Sequence, residues 1–506
     1  MMPFPLRLET ILERARRFFP AVEVVSRESD GRVRRSNYQE LYERSWRLAA
    51  GLRAAGLRRG ERVATLLWNQ AAHLEAYFGA PLAGGVVHPL NLRLHPAQLA
   101  AIVRDAGDRF ALVDVSFEPL WGSIAPHVGV ERVFVCPSEY ETLLDAAGAE
   151  ASAEAGAAEE NDGAAMGYTS GTTGDPKGVV YSHRALALHA LATALPDAMN
   201  LRERDCVLPL VPMFHANAWG IPYTAAMIGC KQVLMAGAFD PADVLDLLSA
   251  EQVTFSAGVP MVWQAILEVL EREPGRWRLH PELRVNLGGA PAPEALFRRF
   301  DRHGIEVNMG WGMTEMTPVG AMNPLRGPVQ SGDHAARTRQ GRPLPFVEAR
   351  RAENGELEVR GPWVAASYWR AAQNSAWTTD GWLRTGDVVR FDEAGLIEIV
   401  DRHKDLIRSG GEWISSVALE NALAGCTGIR EAAVIAVPHA KWQERPLALV
   451  VLEAEAEADP EAWQRQLQAH FAGWQCPDRY VVVEALPRTA TGKLDKRALR
   501  QRYREA

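Results

Sequence analysis

The residues with the clearest chemical potential form one short run, Tyr168–Gly178, with the sequence YTSGTTGDPKG. Three glycines in this run let backbone N–H groups converge on an anion, and Lys177 adds a positive charge. The run therefore predicts a phosphate-binding loop, although a polar surface loop could have the same composition. It is not a Walker loop, because Pro176 precedes the lysine and Gly178 follows it. The hydroxyls that would bind phosphate belong to Thr169, Ser170, Thr172 and Thr173.

The overall composition limits the class of protein. A chain of 506 residues exceeds one ordinary hydrophobic core, so we expect two or more domains. The net charge of −8 argues against nucleic acid as a partner. The five cysteines form no CxxC pair, which is typical of reduced thiols in a cytoplasmic protein.

Two segments bear on membrane insertion and export. Met1–Arg17 is interrupted by charged residues and lacks the apolar core of a signal peptide, so we expect no export. Cys206–Cys230 carries no Asp, Glu, Lys or Arg and is long enough to cross a bilayer. Its prolines, His215 and Asn217 favour a buried strand, a loop and a helix instead, with membrane insertion as the weaker alternative.

Helices and buried strands alternate through the first part of the chain. Asn37 with Glu40 predicts the start of a helix, which apolar residues at helical spacing continue until Gly56. An apolar strand follows at 63–68, and this alternation predicts an α/β fold with a mostly parallel sheet. Further predicted helix and strand pairs are 98–106 with 110–115, 241–251 with 253–257, and 293–303 with 305–309.

The remaining chain predicts a connection, a β-rich module and a small second domain. Residues 146–165 are rich in Ala, Glu and Gly and predict an exposed connection. Alternating strands at 355–361 and 396–400 predict a β-rich module, a distorted barrel, that completes a large domain over 1–400. The charged step 401–405 predicts a hinge. Strands at 431–437, 447–452 and 479–483 and a helix at 460–471 predict a small mobile α+β domain over 406–506.

Several motifs in a fixed order, spread over nearly the whole chain, resemble those of the adenylate-forming superfamily, which comprises acyl-CoA synthetases, adenylation domains and insect luciferases. One such motif alone could arise by chance, whereas the ordered set is highly specific. The matching segments are Tyr168–Gly178, Pro212–His215, Gly288–Pro291, Gly310–Glu315, Gly355–Pro362, Leu383–Asp387, Asp401–Glu412 and Pro487–Lys493.

The resemblance implies ATP-dependent activation of a carboxylic acid to an acyl-adenylate, followed by attack of a thiol and release of AMP. The implied cofactors are ATP, Mg²⁺ and CoA. The implied catalytic residues are His215, Thr314, Glu315 and Lys493, and Glu315 and Thr172 would hold the metal. The implied cofactor-binding residues are Thr169, Ser170, Gly171, Thr172, Thr173, Gly174, Lys177, Gly289, Ala290, Pro291, Gly310, Trp311, Gly312, Met313, Asp387, Arg402, Gly410, Gly411 and Glu412.

Individual roles follow from the same resemblance. Trp311 takes the place of the aromatic residue that stacks on adenine, and Asp387 would accept hydrogen bonds from the ribose hydroxyls. Lys493 would offset charge during adenylation and then leave the site. Lys404 would be the pivot of that rotation, which brings the glycine-rich turn beginning at Gly410 to the pantetheine tunnel.

The stretch Val211–Trp219 resembles the gate region of the fatty acyl-CoA synthetase branch, in which a tryptophan gates the acyl tunnel. This predicts a medium- or long-chain fatty acid, while a core tryptophan packed beneath the site is the alternative. No aspartate stands near His215 to hold an amino-acid ammonium, and no carrier segment follows Lys493, so CoA is favoured. Transfer to a carrier protein, a short thia-substituted or aryl acid, and a non-catalytic nucleotide-binding relative remain open. The interval between Glu315 and Gly341 looks shortened, and relatives are often homodimers.

Overall fold

The structure is a computed structural model that describes residues 1–146, 158–169, 176–323, 334–371, 375–489 and 493–503, without the side chains of residues 334 and 335. The first strands are β1 (Glu23–Arg27), β2 (Val33–Asn37), β3 (Arg62–Leu66), β4 (Val86–Pro89), β5 (Asp108–Asp114), β6 (Arg132–Cys136), β7 (Gly163–Tyr168), β8 (Gly178–Ser182), β9 (Cys206–Pro209), β10 (Lys231–Met235), β11 (Phe255–Gly258) and β12 (Arg284–Leu287). The later strands are β13 (Glu306–Gly312), β14 (Val319–Met322), β15 (Arg342–Pro343), β16 (Glu348–Arg351), β17 (Glu356–Arg360), β18 (Leu383–Phe391), β19 (Ile397–Arg402), β20 (Ile407–Ser409), β21 (Glu412–Ile414), β22 (Ile429–His439), β23 (Gln443–Leu452) and β24 (Arg479–Val482).

The α-helices are α1 (Leu8–Phe18), α2 (Tyr38–Ala54), α3 (Ala71–Leu82), α4 (Pro96–Ala106), α5 (Glu118–Ile124), α6 (Ser138–Asp145), α7 (His183–Ala194), α8 (Ile221–Ile228), α9 (Pro241–Ala250), α10 (Pro260–Arg272), α11 (Glu294–Arg302), α12 (His334–Arg337), α13 (Ser416–Leu423), α14 (Pro460–Gln468) and α15 (Lys496–Arg502). Short 3₁₀ turns also form at Val115–Phe117, Ala125–His127, Ala216–Gly220, Thr314–Met316 and Gly473–Gln475.

Two mixed sheets with a parallel core build the large N-terminal domain. One has the order β6-β5-β3-β4-β7-β8, and the other has the order β15-β14-β13-β12-β11-β9-β10-β1-β2. Strands β9, β11 and β12 are buried along their whole length, as expected for parallel strands covered on both faces. On one face, Trp263 of α10 packs tilted against Phe300 of α11, with ring centroids 5.7 Å apart.

The functional side of the nine-stranded sheet follows from its topology. Strands β9, β11, β12 and β13 are mutually parallel, so their carboxyl ends meet at one edge. Ligands of open α/β sheets bind in the crevice at that edge. The segments that follow β9, β12 and β13 carry His215, Gly289 and Thr314, all predicted site residues. The fold therefore gathers residues that lie far apart in the sequence.

Two smaller antiparallel or mixed sheets complete the molecule. The β-rich module is the sheet β16-β17-β18-β19. The smaller C-terminal domain has the sheet β21-β20-β23-β22, with β24 beside β23, and helices α13, α14 and α15 pack against it around Trp463 and Leu499. The predicted fold class is confirmed. The domain boundaries stay a prediction, and β19 runs to Arg402, within the predicted hinge.

Most predicted elements form within a few residues of their expected limits. Asn37 caps α2 by accepting a hydrogen bond from the backbone N–H of Glu40. The uncharged stretch Cys206–Cys230 is a buried strand, a turn and a helix, as expected. Among the described residues, no helix is both long and apolar enough to cross a membrane. The expected connection 146–165 is shorter at its end, because β7 begins at Gly163, and residues 147–157 lie outside the described residues.

Gly341 should be irreplaceable, because a side chain there has no room. A Cβ at this position would lie 1.9 Å from the carbonyl carbon of Met322, and φ is +87°. We expect Gly341→Ala to lower the free energy of unfolding by about 3 kcal/mol or more. Gly381 has nearly the same φ, +84°, but its Cβ would meet nothing within 4 Å. Gly381→Ala should therefore cost only about 1 kcal/mol, and equal losses in urea denaturation would contradict the steric explanation.

Candidate active site

A cavity of about 450 Å³ opens at the carboxyl ends of the parallel strands of the nine-stranded sheet. Most of the described residues that the sequence assigned to chemistry or to cofactor binding line it. These are Thr169, Lys177, His215, Trp219, Gly289, Gly310, Trp311, Gly312, Met313, Thr314, Glu315, Arg402 and Lys493. The resemblance thus selected residues that the fold brings to one place.

The glycine-rich loop is described only at its two ends. The backbone N–H of Thr169 donates to the carbonyl of Lys177 at 3.0 Å, and the N–H of Lys177 donates to Oγ1 of Thr169 at 3.0 Å. These reciprocal bonds close the base of the loop. Five predicted phosphate-binding residues lie outside the described residues, namely Ser170, Gly171, Thr172, Thr173 and Gly174.

A second cavity, of about 910 Å³, adjoins the first between the large domain and the C-terminal domain. Gly289, Arg402 and Lys493 line both cavities. Ala290, Pro291, Asp387 and Lys404 line only the second. Gly410 and Gly411 form the exposed turn between β20 and β21, and Glu412 is the exposed first residue of β21. None of these three described residues is among the lining residues of either cavity.

The buried carboxylate of Asp387 joins the nine-stranded sheet to the β-rich module. Its Oδ2 accepts a hydrogen bond from the indole N–H of Trp311 at 2.8 Å, and its Oδ1 pairs with Nε of Arg402 at 3.2 Å. Trp311 belongs to the nine-stranded sheet, whereas Asp387 on β18 and Arg402 at the end of β19 are register partners within the β-rich module. Each carboxylate oxygen has two lone pairs, so Asp387 retains the capacity to accept hydrogen bonds from a ligand.

Glu315 is 5% exposed and lies in a 3₁₀ turn directly after β13. Its Oε1 accepts a hydrogen bond from the hydroxyl of Tyr368 at 2.6 Å. Lys177 lies against the same tyrosine, with its ammonium 4.7 Å from the centroid of the ring. The sequence interpretation missed Tyr368. Tyr368 lies between the motifs Gly355–Pro362 and Leu383–Asp387, and no residue pattern there indicated a contact with Lys177 or Glu315.

Lys493 faces the group formed by Glu315, Asp387 and Arg402. Burial, and then the positive charge of Arg402, lower its pKa to about 8, although Asp387 and Glu315 act in the opposite direction. With this pKa the lysine is still mostly protonated at physiological pH, but it loses its proton far more readily than an exposed lysine. His215 is neutral, because burial, followed by the nearby Lys493 and Arg93, lowers its pKa to about 3.

Trp219 lies on a turn with unusual backbone geometry. The four residues Ala216, Asn217, Ala218 and Trp219 all have positive φ, from +38° to +56°. Such a left-handed run is costly for residues with a Cβ, and strain of this kind is concentrated at functional sites. The indole packs on the backbone of Gly288, where a Cβ would lie 3.0 Å from Cη2 of Trp219. This strain could not be predicted from the sequence, because the run contains no glycine before Gly220.

A buried polar network connects the end of the β-rich module to the C-terminal domain. The backbone N–H and the hydroxyl of Ser416 both donate to Oδ2 of Asp401, each at 2.6 Å. The ammonium of Lys496 donates to the Ser416 hydroxyl at 2.6 Å and pairs with Glu420 at 2.7 Å. Lys496 follows Lys493 by three residues, so the network holds the segment that carries Lys493.

The family models match most of the chain. A model described as AMP-binding enzyme matches residues 12–369, and one described as AMP-binding enzyme C-terminal domain matches residues 418–493.

Individual relatives are similar over their whole length. A long-chain-fatty-acid–CoA ligase from Thermus thermophilus is 46% identical over 100% of this chain and 97% of that protein. A medium-chain-fatty-acid–CoA ligase from Ectopseudomonas oleovorans is 39% identical over 99% of this chain and 97% of that protein. Among solved structures, ATP-bound MatB from Rhodopseudomonas palustris superposes with a TM-score of 0.85 at 28% identity, covering 98% of this chain and 99% of that one.

The environment of Lys493 predicts how its ammonium titrates. Because the buried site disfavours the charged form, we expect a midpoint near pH 8 in place of the ordinary 10.5. The measurement is NMR of ¹³C-methylated lysines, with Lys493→Arg to assign the resonance. Arg402→Gln should raise the midpoint and Asp387→Asn should lower it, since the two charges act in opposite directions. A midpoint near 10.5 would contradict the described burial.

Proposed function

The chain belongs to the AMP-binding enzyme family and is an AMP-forming acid–CoA ligase, and we propose that its acid is a medium- or long-chain fatty acid. The expected recognition as an adenylate-forming enzyme is thereby confirmed, and ATP binding follows from the same family. Support for the acid comes from the two ligases that match over nearly their full length. The finer roles below are proposals.

The observation that carries the mechanism is the meeting of Lys177, Glu315 and Lys493 in one cavity with His215. A carboxylate that attacks the α-phosphorus of ATP brings two anions together, so the site needs cations fixed around the reacting atoms. Lys177 would stabilise the leaving pyrophosphate. Lys493, which lines the cavity from the opposite domain, would offset charge on the attacking carboxylate and the α-phosphate. Thr314 would donate its hydroxyl to the α-phosphate.

The nucleoside would lie against Trp311 and Asp387. The hydrogen bond from the indole to Asp387 holds Trp311 in a fixed orientation, which suits a ring that stacks on adenine. The remaining lone pairs of Asp387 would accept hydrogen bonds from the ribose hydroxyls, and Arg402 lies beside them. The backbone of Gly289, Ala290, Pro291, Gly310, Gly312 and Met313 would complete the walls of this pocket.

The site fits Mg²⁺, which usually binds one or two carboxylates and completes its coordination with phosphate oxygens and water. Glu315 is a buried carboxylate that lines the cavity near Lys177, and its Oε2 has no bond to Tyr368. The described residues hold no cluster of three or more His, Cys, Asp or Glu, so an all-protein cage is not formed there. Glu315 would hold the ion together with Thr172, which lies outside the described residues. When bound, Mg²⁺ would neutralise phosphate charge.

The acid would enter on the side of His215 and Trp219. A neutral His215 can orient the acyl carboxylate by a hydrogen bond without fixing it through a salt bridge. Trp219 is 8% exposed and lines the cavity, so rotation of its indole would open or close the acyl space and keep water from the adenylate. The strained turn that carries it is suited to a residue with two positions.

CoA would react after the C-terminal domain has rotated about Lys404. In the present arrangement Lys493 occupies the cavity, and the turn of Gly410, Gly411 and Glu412 is exposed. Rotation would withdraw Lys493 and bring that turn to the thiol channel, where glycines permit close approach of the pantetheine. The adjoining cavity of about 910 Å³ is the space through which CoA would enter.

Two finer points stay predictions. A cytoplasmic location is supported by the five cysteines, all buried and free of disulfides. A homodimer remains an expectation from the resemblance, and light scattering would decide it.

Acid selectivity is tested by incubating the enzyme with ATP, Mg²⁺, CoA and acids of increasing chain length. We expect the highest kcat/KM, measured as AMP release, with a medium- or long-chain fatty acid, because the gate is built from Trp219 and apolar neighbours. The panel includes aryl acids, short thia-substituted acids and an acyl carrier protein. A higher kcat/KM with one of these would overturn the proposed acid or thiol, and absence of AMP with every acid would overturn the mechanism.

Lys493→Ala should separate the two half-reactions. Removing the ammonium should lower acid-dependent pyrophosphate exchange by at least about 100-fold, since one fixed charge at the transition state contributes on this scale. Thioester formation from supplied acyl-AMP should change less than about threefold, as Lys493 would have left the site by then. Lys231→Ala is the control, because it removes a lysine ammonium that lines neither cavity. Equal losses of both half-reactions in Lys493→Ala would refute this division.

A further inference from the structure

Tyr368 contacts Glu315 through its hydroxyl and Lys177 through its ring. Its hydroxyl lies 2.6 Å from Oε1 of Glu315, and its ring lies beneath the ammonium of Lys177. Both partners line the first cavity, as Tyr368 does itself. Tyr368 comes from a third segment, between β17 and β18. Its two contacts therefore connect parts of the site that the backbone does not join.

The backbone on either side of Tyr368 is hydrogen-bonded to Glu315 and to the residue that follows Lys177. The backbone N–H of Ala365 donates to the carbonyl of Glu315 at 2.7 Å. The N–H of Trp369 donates to the carbonyl of Gly178, the residue after Lys177, at 2.8 Å. The ring of Tyr368 also packs edge-on against Trp377, with centroids 5.1 Å apart. The backbone on both sides of Tyr368 and the contact of its ring with Trp377 therefore restrict where the hydroxyl can lie.

We propose that Tyr368 is a positioning residue, which orients the Glu315 carboxylate toward a divalent cation and holds the Lys177 ammonium toward the phosphates. This inference rests on the proposed function. The phenol donates to one carboxylate oxygen and leaves the other available for the ion. Groups that hydrogen-bond to a ligating carboxylate typically affect metal affinity by 10- to 100-fold. Burial and the neighbouring Glu315 raise the pKa of Tyr368, so the phenol stays a donor at working pH.

The ring has a separate role from the hydroxyl. An ammonium 4.7 Å from an aromatic centroid is attracted by the π-face, which restricts where Lys177 can point. The hydroxyl acts on the metal through Glu315, whereas the ring acts on the nucleotide through Lys177. Tyr368→Phe removes only the first contact and Tyr368→Leu removes both, so the two roles can be measured independently.

The test measures binding of Mn²⁺ to the enzyme with an ATP analogue whose α,β-bridge is a methylene group, by the EPR signal of free Mn²⁺. We expect Tyr368→Phe to raise the Kd for Mn²⁺ by about 10-fold or more, with nucleotide affinity in EDTA unchanged. Tyr368→Leu should also weaken nucleotide binding in EDTA. The matched control is Tyr140→Phe, which removes a phenol that donates to Glu75 at the same distance of 2.6 Å, outside the cavity. This control should bind Mn²⁺ as the unaltered enzyme does.

A Glu315→Gln background separates positioning from a general structural effect. Adding Tyr368→Phe there should cause no further change in Mn²⁺ affinity, because the oriented carboxylate is already lost. An unchanged Kd in Tyr368→Phe, or the same loss in the Tyr140→Phe control, would overturn the proposal. The binding measurement needs neither acid nor CoA. An enzyme that released no AMP with any acid would refute the proposed function without affecting this comparison.

Discussion

The arrangement of the site depends on the buried carboxylate of Asp387, which is 4% exposed. It accepts a hydrogen bond from Trp311 of the nine-stranded sheet and pairs with Arg402 on the neighbouring strand of its own module, so one side chain links two sheets. A buried carboxylate without partners would be strongly disfavoured, and its two partners in turn need an acceptor. Each sheet therefore fixes the other, and the nucleoside side of the cavity is preorganised before any ligand binds.

Two cations at the cavity are each held by a partner, whereas the protonation of a third depends on what is bound nearby. Lys177 rests on an aromatic ring, and Arg402 is paired, whereas Lys493 has its pKa lowered to about 8. An incoming anion would favour the charged form of this lysine, which means that ligand binding and protonation are coupled. The neutral His215 adds no charge to this balance. In the proposed mechanism, the site would accept a highly anionic substrate and release Lys493 once the anion has gone.

Sequence patterns predicted the structural features that depend on the local order of residues. The buried strands, Asn37 as a cap, and the strand, turn and helix of Cys206–Cys230 all follow from residue periodicity and turn chemistry. The ordered motifs also placed Glu315, Trp311 and Lys493 in one site. Glu315 and Trp311 lie there because β13 ends at the edge where the parallel strands meet, whereas Lys493 reaches the site from the C-terminal domain.

Other features depend on contacts between distant segments and could not be predicted. Tyr368 meets Glu315 and Lys177 only because its segment is bound to the backbone at both ends. The left-handed turn at Ala216–Trp219 contradicts residue preferences, so tertiary packing against Gly288 must stabilise it. The hydrogen bond from Trp311 to Asp387 likewise crosses between sheets. Motifs identify the residues of the predicted site, whereas these contacts between distant segments determine how their side chains are oriented.

The network of Asp401, Ser416, Lys496 and Glu420 has a consequence for the predicted rotation about Lys404. Asp401 lies before that pivot and the other three lie after it, so rotation would have to break the bonds of Asp401. A partial rotation would leave the Asp401 carboxylate buried without its Ser416 partners, which is more costly than either end state. Intermediate angles are therefore disfavoured. The domain should move as a switch with two discrete positions, and its timing would be governed by the hydration of a few buried polar groups.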